Sequence, residues 1–331
     1  MGKFKYRQEL YGTSRIENID DVPVIRITSA CTHECVFCSA PHTPVYSDKV
    51  CRAIIDKHRD TLSIEGGEPT LSADLPRWIK YARKKGCRDI IICTNGMRGG
   101  DTAYVRGLLD AGATMFNVNF PAHTAPLFDR LTGTKGQFAN RVEALRNLMR
   151  VAGPGRVRIT LVVHSGIMRH LPAYAGFVAK NFPGLFYLEL NLAKALGKVM
   201  GRTSLVPRLA RLQPYLNGAL RVLSFAGVKF ITDGFPLCRL TGFEASSIDV
   251  YKRLLGIKEF MTEKRHAPRC AGCSLLGLCA GPRADYLEIY GDSDLRPSPA
   301  DPEAVLPAGR SAGFLRLPDA PKAPAGKGRA K

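Results

Sequence analysis

Between residues 22 and 225 the chain alternates short β-rich runs with stretches of helical periodicity, and this alternation limits the folds open to it. Strands are predicted at residues 22–28, 61–65, 88–93, 114–120, 156–163 and 185–190. Between them fall helices at 48–59, 140–149 and 171–182. Two more are marked by Leu75, Trp78, Ile79 and Ala82 and by Val105, Leu108 and Leu109. Leu205, Leu209, Leu212, Leu216 and Leu220 mark a last helix, which Pro214 interrupts. Six βα units in succession imply a parallel sheet with right-handed crossovers, either an open doubly wound sheet or a partial barrel.

The polar signatures choose between these. Cys31-Thr-His-Glu-Cys35-Val-Phe-Cys38, Gly66-Gly67-Glu68-Pro69, Thr94-Asn95-Gly96, Asn119 and His164-Ser165-Gly166 each lie at or just past the C-terminal end of a different strand. In a barrel those ends share one rim, where barrel enzymes assemble their sites. A doubly wound sheet would concentrate its site at one switch point. The predicted architecture is α/β, a partial (β/α)6 TIM-like barrel over residues 21–228. A lead-in at 1–20 precedes it, and a small cysteine-rich module at 229–296 and a Pro/Ala/Gly-rich basic tail at 297–331, read as disordered, follow. Residues 286–290 read as a short strand.

Seven of the ten cysteines fall in two groups, Cys31/Cys35/Cys38 and Cys238/Cys270/Cys273/Cys279. Ten in 331 residues are too few for a disulfide scaffold, and the spacing is that of metal ligands, which points to a reducing cytoplasm. Three thiolates in a CxxxCxxC loop are one short of a closed zinc shell. They suit a cuboidal iron–sulfur cluster with one iron left for another ligand. The loop alone also allows zinc, with His33 or His42 as fourth ligand. Cys51, Cys87 and Cys93 lie within predicted elements and read as small buried side chains.

The N-terminus is polar and basic, and no later run is long and apolar enough for a bilayer, so neither secretion nor membrane insertion is expected. The net charge is +19, and removing the six basic and three acidic residues after Arg296 still leaves +16. That excess suits an anionic partner, although without a concentrated basic-aromatic motif nucleic acid is not favoured.

Taken together, Cys31-xxx-Cys35-xx-Cys38 after a first strand, Phe37 before the third cysteine and Gly66-Gly67-Glu68-Pro69 after the second strand resemble the radical S-adenosylmethionine (radical SAM) superfamily. The resemblance implies that Cys31, Cys35 and Cys38 hold a 4Fe–4S cluster whose open iron is chelated by S-adenosylmethionine, which one electron cleaves to methionine and a 5′-deoxyadenosyl radical. It implies that Gly66, Gly67, Glu68 and Pro69 receive the methionyl group, that Asn119 contacts the ribose and Phe37 the adenine, and that Thr94 and Asn95 line the same rim. Cys270-xx-Cys273-xxxxx-Cys279 resembles the family's SPASM and twitch extensions, with Arg283 where a further cysteine is usual. With Cys238, four cysteines are then left for a second, auxiliary 4Fe–4S cluster, for electron transfer; a zinc knuckle is the alternative.

The function implied is hydrogen abstraction from a substrate, above all a peptide or protein, because such modules often accompany peptide modification, with a reductant such as flavodoxin or ferredoxin. Small-molecule oxidation or rearrangement in cofactor or sugar biosynthesis, RNA modification, and a non-enzymatic zinc-binding interaction protein are the alternatives. No residue is assigned a catalytic acid or base role.

Overall fold

The computed structural model describes residues 23–40, 44–153, 155–254, 256 and 262–306. The lead-in predicted at 1–20, His42 and the tail beyond 306 lie outside them. Seven parallel strands, β1 Val24–Arg26, β2 Thr61–Glu65, β3 Asp89–Thr94, β4 Met115–Asn119, β5 Val157–Val163, β6 Leu188–Leu192 and β7 Phe230–Asp233, pair in sequence order, with β1 and β7 at the two edges. The sheet therefore has one strand more than the six predicted, and β7 lies in the stretch assigned to the C-terminal module. Its four residues are too short a run to stand out from the irregular sequence around them, and parallel pairing with β6 gives them their place.

The helices between strands are α1 Asp48–Lys57, α2 Leu75–Lys84, α3 Thr102–Ala111, α4 Ala125–Thr132, α5 Phe138–Ala152, α6 Leu171–Asn181 and α7 Leu209–Phe225. In α2 the apolar positions Leu75, Trp78, Ile79 and Ala82 are all buried, as the i, i+3, i+4, i+7 spacing requires. Each large side chain there contributes roughly 1.5–3 kcal/mol of burial. Pro214 stands inside α7 without ending it.

Burial alternates along the strands. Ile64, Ile92, Val118, Leu161 and Leu190 are buried against the helices, while Glu65, Cys93, Asn117, Thr160 and Glu189 point to the other face. Those side chains meet one another across five strands. Cys93 Sγ lies 3.6 Å from Glu65 Oε1 and accepts from Asn117 Nδ2 at 3.7 Å, and Thr160 Oγ1 donates to Asn117 Oδ1 at 2.5 Å and to Glu189 Oε2 at 3.3 Å. The inner face is thus polar, and Cys93 faces it rather than the apolar core.

The C-terminal module carries α8 Ile248–Leu254, α9 Ala284–Tyr290 and α10 Pro302–Val305. The strand predicted at 286–290 is a helix. Tyr286 and Tyr290 sit four residues apart with ring centroids at 5.2 Å, an i,i+4 contact that a helical turn provides, and beyond the helix the Tyr286 hydroxyl donates to Asp294 Oδ2 at 2.6 Å. Residues 297–306, read as the start of a disordered tail, are folded onto the module, with Val305 buried.

Candidate functional site

The cysteine loop leaves β1 and is gripped from two sides. The backbone N–H groups of Glu34 and Val36 donate to the carbonyls of Thr132 and Leu131 at 2.7 and 2.9 Å, so the loop satisfies carbonyls that the C-terminus of α4 leaves open. On the other side Lys198 N–H donates to the Cys38 carbonyl at 2.9 Å. Gly67 N–H and Glu68 N–H donate to the carbonyls of Thr28 and Ala30 at 2.8 and 2.7 Å. A Cβ on Gly66 or Gly67 would stand 2.3 Å from the Thr28 or Ala30 carbonyl oxygen respectively, and Gly66 has φ +149°. The two glycines are already required by the chain's own backbone.

Glu68 is 1% exposed, and both of its carboxylate oxygens accept hydrogen bonds. Its Oε1 accepts from Thr70 N at 3.1 Å, Thr70 Oγ1 at 2.6 Å and Thr94 Oγ1 at 2.7 Å, and its Oε2 accepts from Asn95 N at 2.5 Å. Pro69 opens a single turn after it, in which Pro69 and Thr70 are buried. Asn95 Nδ2 then donates to Thr32 Oγ1 at 3.0 Å, which ties the turn after β3 to the cysteine loop. The sequence reading joined Gly66, Gly67, Glu68, Thr94 and Asn95 through a ligand; the structure also joins them through one another. Asn119 ends β4 and donates from Nδ2 to the Thr160 carbonyl at 3.5 Å. Phe37 is buried and stacks on His164 at 5.1 Å. Burial pulls His164 down to about 4, and its Nδ1 accepts from Gly166 N at 3.1 Å.

The three thiols lie within electrostatic reach of one another. Burial, then Cys38 and Cys31, push the Cys35 thiol up to about 12, and burial, with Glu68 and Cys38 adding to it, raises Cys31. A cationic metal centre reverses that balance and deprotonates coordinating thiols. His33 is buried, with Nε2 unpartnered and its ring edge-on to Phe128 at 6.0 Å.

Arg141 of α5 is the site residue that the sequence reading missed. Its side chain is fully buried, its Nη2 donates to the Asn119 carbonyl at 3.2 Å, and Nε and Nη1 have no partner. A Cβ on Gly96 would lie 2.8 Å from Nη1. Burial lowers Arg141 to about 10, and Glu68 and Cys35 act against that fall. The signal was present: Arg141, Leu145 and Leu148 share one helix face, and a basic residue on an apolar stripe needs a reason to be there.

A second set of thiols borders a cleft of about 350 Å3, lined by Cys238, Cys270, Cys273 and Cys279 together with apolar residues such as Leu275 and Leu295. All four are free. Among the described residues no three His, Cys, Asp or Glu side chains close around a single-ion position. Arg283, where the resemblance led to a further cysteine being expected, is fully buried. Its Nη1 donates to the Leu192 carbonyl at 2.7 Å, its Nη2 to the Ala193 carbonyl, and its Nε to Asp285 Oδ1 at 3.2 Å. Beside it Lys264 Nζ sits between Asp233 Oδ1 at 2.8 Å and Asp249 Oδ1 at 2.6 Å, and Lys194 Nζ meets Glu263 Oε2 at 2.8 Å. This seam locks the module to the ends of β6 and β7. At Asp233 burial would raise the carboxyl, but Lys264, Lys194 and Lys252 outweigh it and hold it well below the usual range.

A parallel partial barrel with three thiols gathered at one end of its strands is a barrel protein whose donor set suits an iron–sulfur cluster. Residues 25–170 match the model of the radical SAM superfamily. Among curated proteins it is similar to a probable GTP 3′,8-cyclase of Metallosphaera sedula, 32% identical over 122 residues that make up 34% of this chain and 38% of that protein. The probable GTP 3′,8-cyclase of Methanothermobacter marburgensis is 27% identical over 154 residues, 44% of this chain and 49% of that one. The chain thus spans less than half the length of these relatives. Among solved structures, anSMEcpe with bound AdoMet superposes with a TM-score of 0.57 at 13% identity, covering 83% of this chain and 92% of that one. Streptococcus suis SuiB bound to S-adenosylmethionine gives 0.50 at 16% identity, covering 66% and 50%. These likenesses are of fold.

The superfamily implies one 4Fe–4S cluster and S-adenosylmethionine. The residues present fit both. Three thiols on one braced loop are the donors that such a cluster takes, and the orphaned guanidinium nitrogens of Arg141, buried near Cys35, match a carboxylate. Among the described residues no helix is long and apolar enough to cross a membrane.

Proposed function

We propose that the chain cleaves S-adenosylmethionine reductively and uses the resulting 5′-deoxyadenosyl radical to abstract hydrogen from a substrate held against the polar inner face of the barrel. The observation that carries this reading is the bracing of the lead into the Cys31–Cys38 loop by Gly67 and Glu68, and of the loop itself by Asn95, with two unpartnered nitrogens of the buried Arg141 guanidinium near Cys35. Cys31, Cys35 and Cys38 hold the cluster. When bound, the cluster held by these three thiolates would supply the single electron that splits the S–C5′ bond into methionine and the 5′-deoxyadenosyl radical. Arg141 receives the methionyl carboxylate, Asn119 orients the ribose, and Phe37, fixed by its stack on His164, packs beside the adenine. Glu68 keeps the turn after β3 in place and offers its remaining acceptor capacity to the methionyl ammonium. Positioning of this kind supplies much of the catalysis.

Cys238, Cys270, Cys273 and Cys279 hold a second cluster that serves electron transfer, and a reductant such as flavodoxin or ferredoxin supplies electrons. The substrate is a peptide or protein, following the association of such modules with peptide modification. A second reading, chemistry on a small molecule in cofactor biosynthesis, draws on the relatives named as probable GTP 3′,8-cyclases. Anaerobic reconstitution tests the core of the proposal. About eight irons per chain with matching sulfide are expected for two 4Fe–4S clusters. Cys35→Ala is expected to abolish 5′-deoxyadenosine formation, and Cys273→Ala to keep the first cluster while losing the second. Unchanged turnover in Cys35→Ala, or zinc with neither iron nor sulfide, sinks it.

A further inference from the structure

The segment after α9 crosses the second group of cysteines. Leu295, Arg296 and Pro297 form one wall of the cleft that the four thiols border, and Leu295 is 1% exposed. From this segment two backbone N–H groups reach sulfur: Arg296 donates to Cys238, and Ser298 to Cys273 Sγ at 3.3 Å. From the opposite wall Gly281 N–H donates to Cys279 Sγ at 3.3 Å, and Leu237 N–H reaches the same sulfur. Three of the four thiols therefore have backbone donors, two of them supplied by a segment that belongs to neither the barrel nor the cysteine loops.

The segment is also fastened down. Ser274, next to Cys273, donates from its backbone N–H to the Ser298 carbonyl at 3.0 Å and from Oγ to the carbonyls of Ser298 and Ala300 at 2.7 and 2.6 Å. Asp301 caps α10 by accepting from Glu303 N at 3.0 Å, and Val305 is 7% exposed. A Pro-rich stretch of low hydrophobicity has little reason to order unless something underneath repays its conformational entropy. Here the return is amide–sulfur and serine–carbonyl bonding over the thiols.

We propose that residues 295–306 are a strap that closes the second cysteine site, its Arg296 and Ser298 amides serving as positioning donors to the metal-bound sulfurs. The proposal rests on the reading of that site as an iron–sulfur centre. Thiolates that accept backbone N–H bonds carry less charge outward, and a covered cluster meets solvent and oxidants less often; both are levers by which a protein tunes and protects such a centre.

The test uses anaerobically reconstituted full-length protein, a chain ending at Arg296, and Ser274→Ala in the full chain. All are exposed to an iron chelator, with iron release from the second site followed against Cys273→Ala, which reports the first site alone. The expected result is an unchanged iron content at the start, release from the second site several-fold faster in the truncated chain, and an intermediate rate in Ser274→Ala. Amide hydrogen exchange at residues 295–300 is expected to quicken in Ser274→Ala. Release as slow in both variants as in the full chain overturns the strap. If the truncated chain fails to fold, the Ser274→Ala rates decide alone. If Cys273→Ala costs no iron, the metal reading of the site falls and takes the strap with it, a result distinct from full iron with unaltered release.

Discussion

Arg283 Nη1 donates to the Leu192 carbonyl at 2.7 Å, joining the module that carries the second cysteines to the end of β6. Where the resemblance to the SPASM and twitch extensions would put another thiol, the chain has a fully buried cation shared between the Leu192 and Ala193 carbonyls and Asp285. In this chain the position is a fastening. Arg283→Met leaves Asp285 buried with its charge partner gone, although Ala195 N–H still donates to Asp285 Oδ2 at 2.8 Å. Breaking such a pair from one side costs about 3–5 kcal/mol. Urea unfolding is expected to show a loss of that size, with faster amide exchange at the β6 end.

Arg141 carries the opposite prediction for stability. Its Nε and Nη1 are buried without partners, so Arg141→Met removes a desolvation cost and leaves the apoprotein equally or more stable. The same variant loses charge-assisted bonds of about 1.5–3 kcal/mol to the carboxylate of S-adenosylmethionine. Affinity measured by calorimetry on cluster-loaded protein is expected to fall about ten- to hundredfold. A drop in stability with unchanged affinity would assign Arg141 to the core alone.

Gly67→Ala places a methyl group 2.3 Å from the Ala30 carbonyl oxygen, with backbone on both sides and no flexible side chain to give way. The cysteine loop must shift. The variant is expected to retain much less iron at Cys31, Cys35 and Cys38 after reconstitution. Gly107→Ala, which meets nothing within 4 Å, is the matched control and is expected to load normally.

His164 makes stability depend on pH. Burial holds it at about 4, against 6.5 for the free side chain, so between these values the unfolded chain binds the proton and the folded one does not. The neutral imidazole's contribution is fully present above pH 6.5 and is lost as the pH falls toward 4. From this group alone the apoprotein is expected to be about 2 kcal/mol less stable at pH 5 than at pH 7.5. Denaturation curves at the two pH values measure the difference, and His164→Gln is expected to reduce it.

The parts of this molecule legible in the sequence are those encoded over short distances. Strand alternation, the apolar stripe of α2, the Cys31–Cys35–Cys38 spacing and the Gly66-Gly67-Glu68-Pro69 turn are local patterns, and each reappears where it was expected. Short segments were less legible. β7 has four residues and α9 seven, and at that length the tertiary partner decides: β6 for the one, Leu209 at the start of α7 for the other.

What only the tertiary structure decided is where charge and polarity are buried. Arg141 shows its burial only through its place on an apolar stripe and Arg283 looks like a surface residue among 48 basic side chains, and nothing near either in sequence supplies its carbonyl partners. Asn119 lies 22 positions from the first and Leu192 lies 91 from the second. Residues 297–306 read as a disordered tail because composition reports what a segment can bury by itself. It does not report the bonds waiting in Cys273 and Ser274, about 25 residues earlier. The sequence determined which chemistry the chain carries, because ligand type and spacing are local. The fold determined which cations reach that chemistry and what closes over it, because desolvation depends on everything packed around a group.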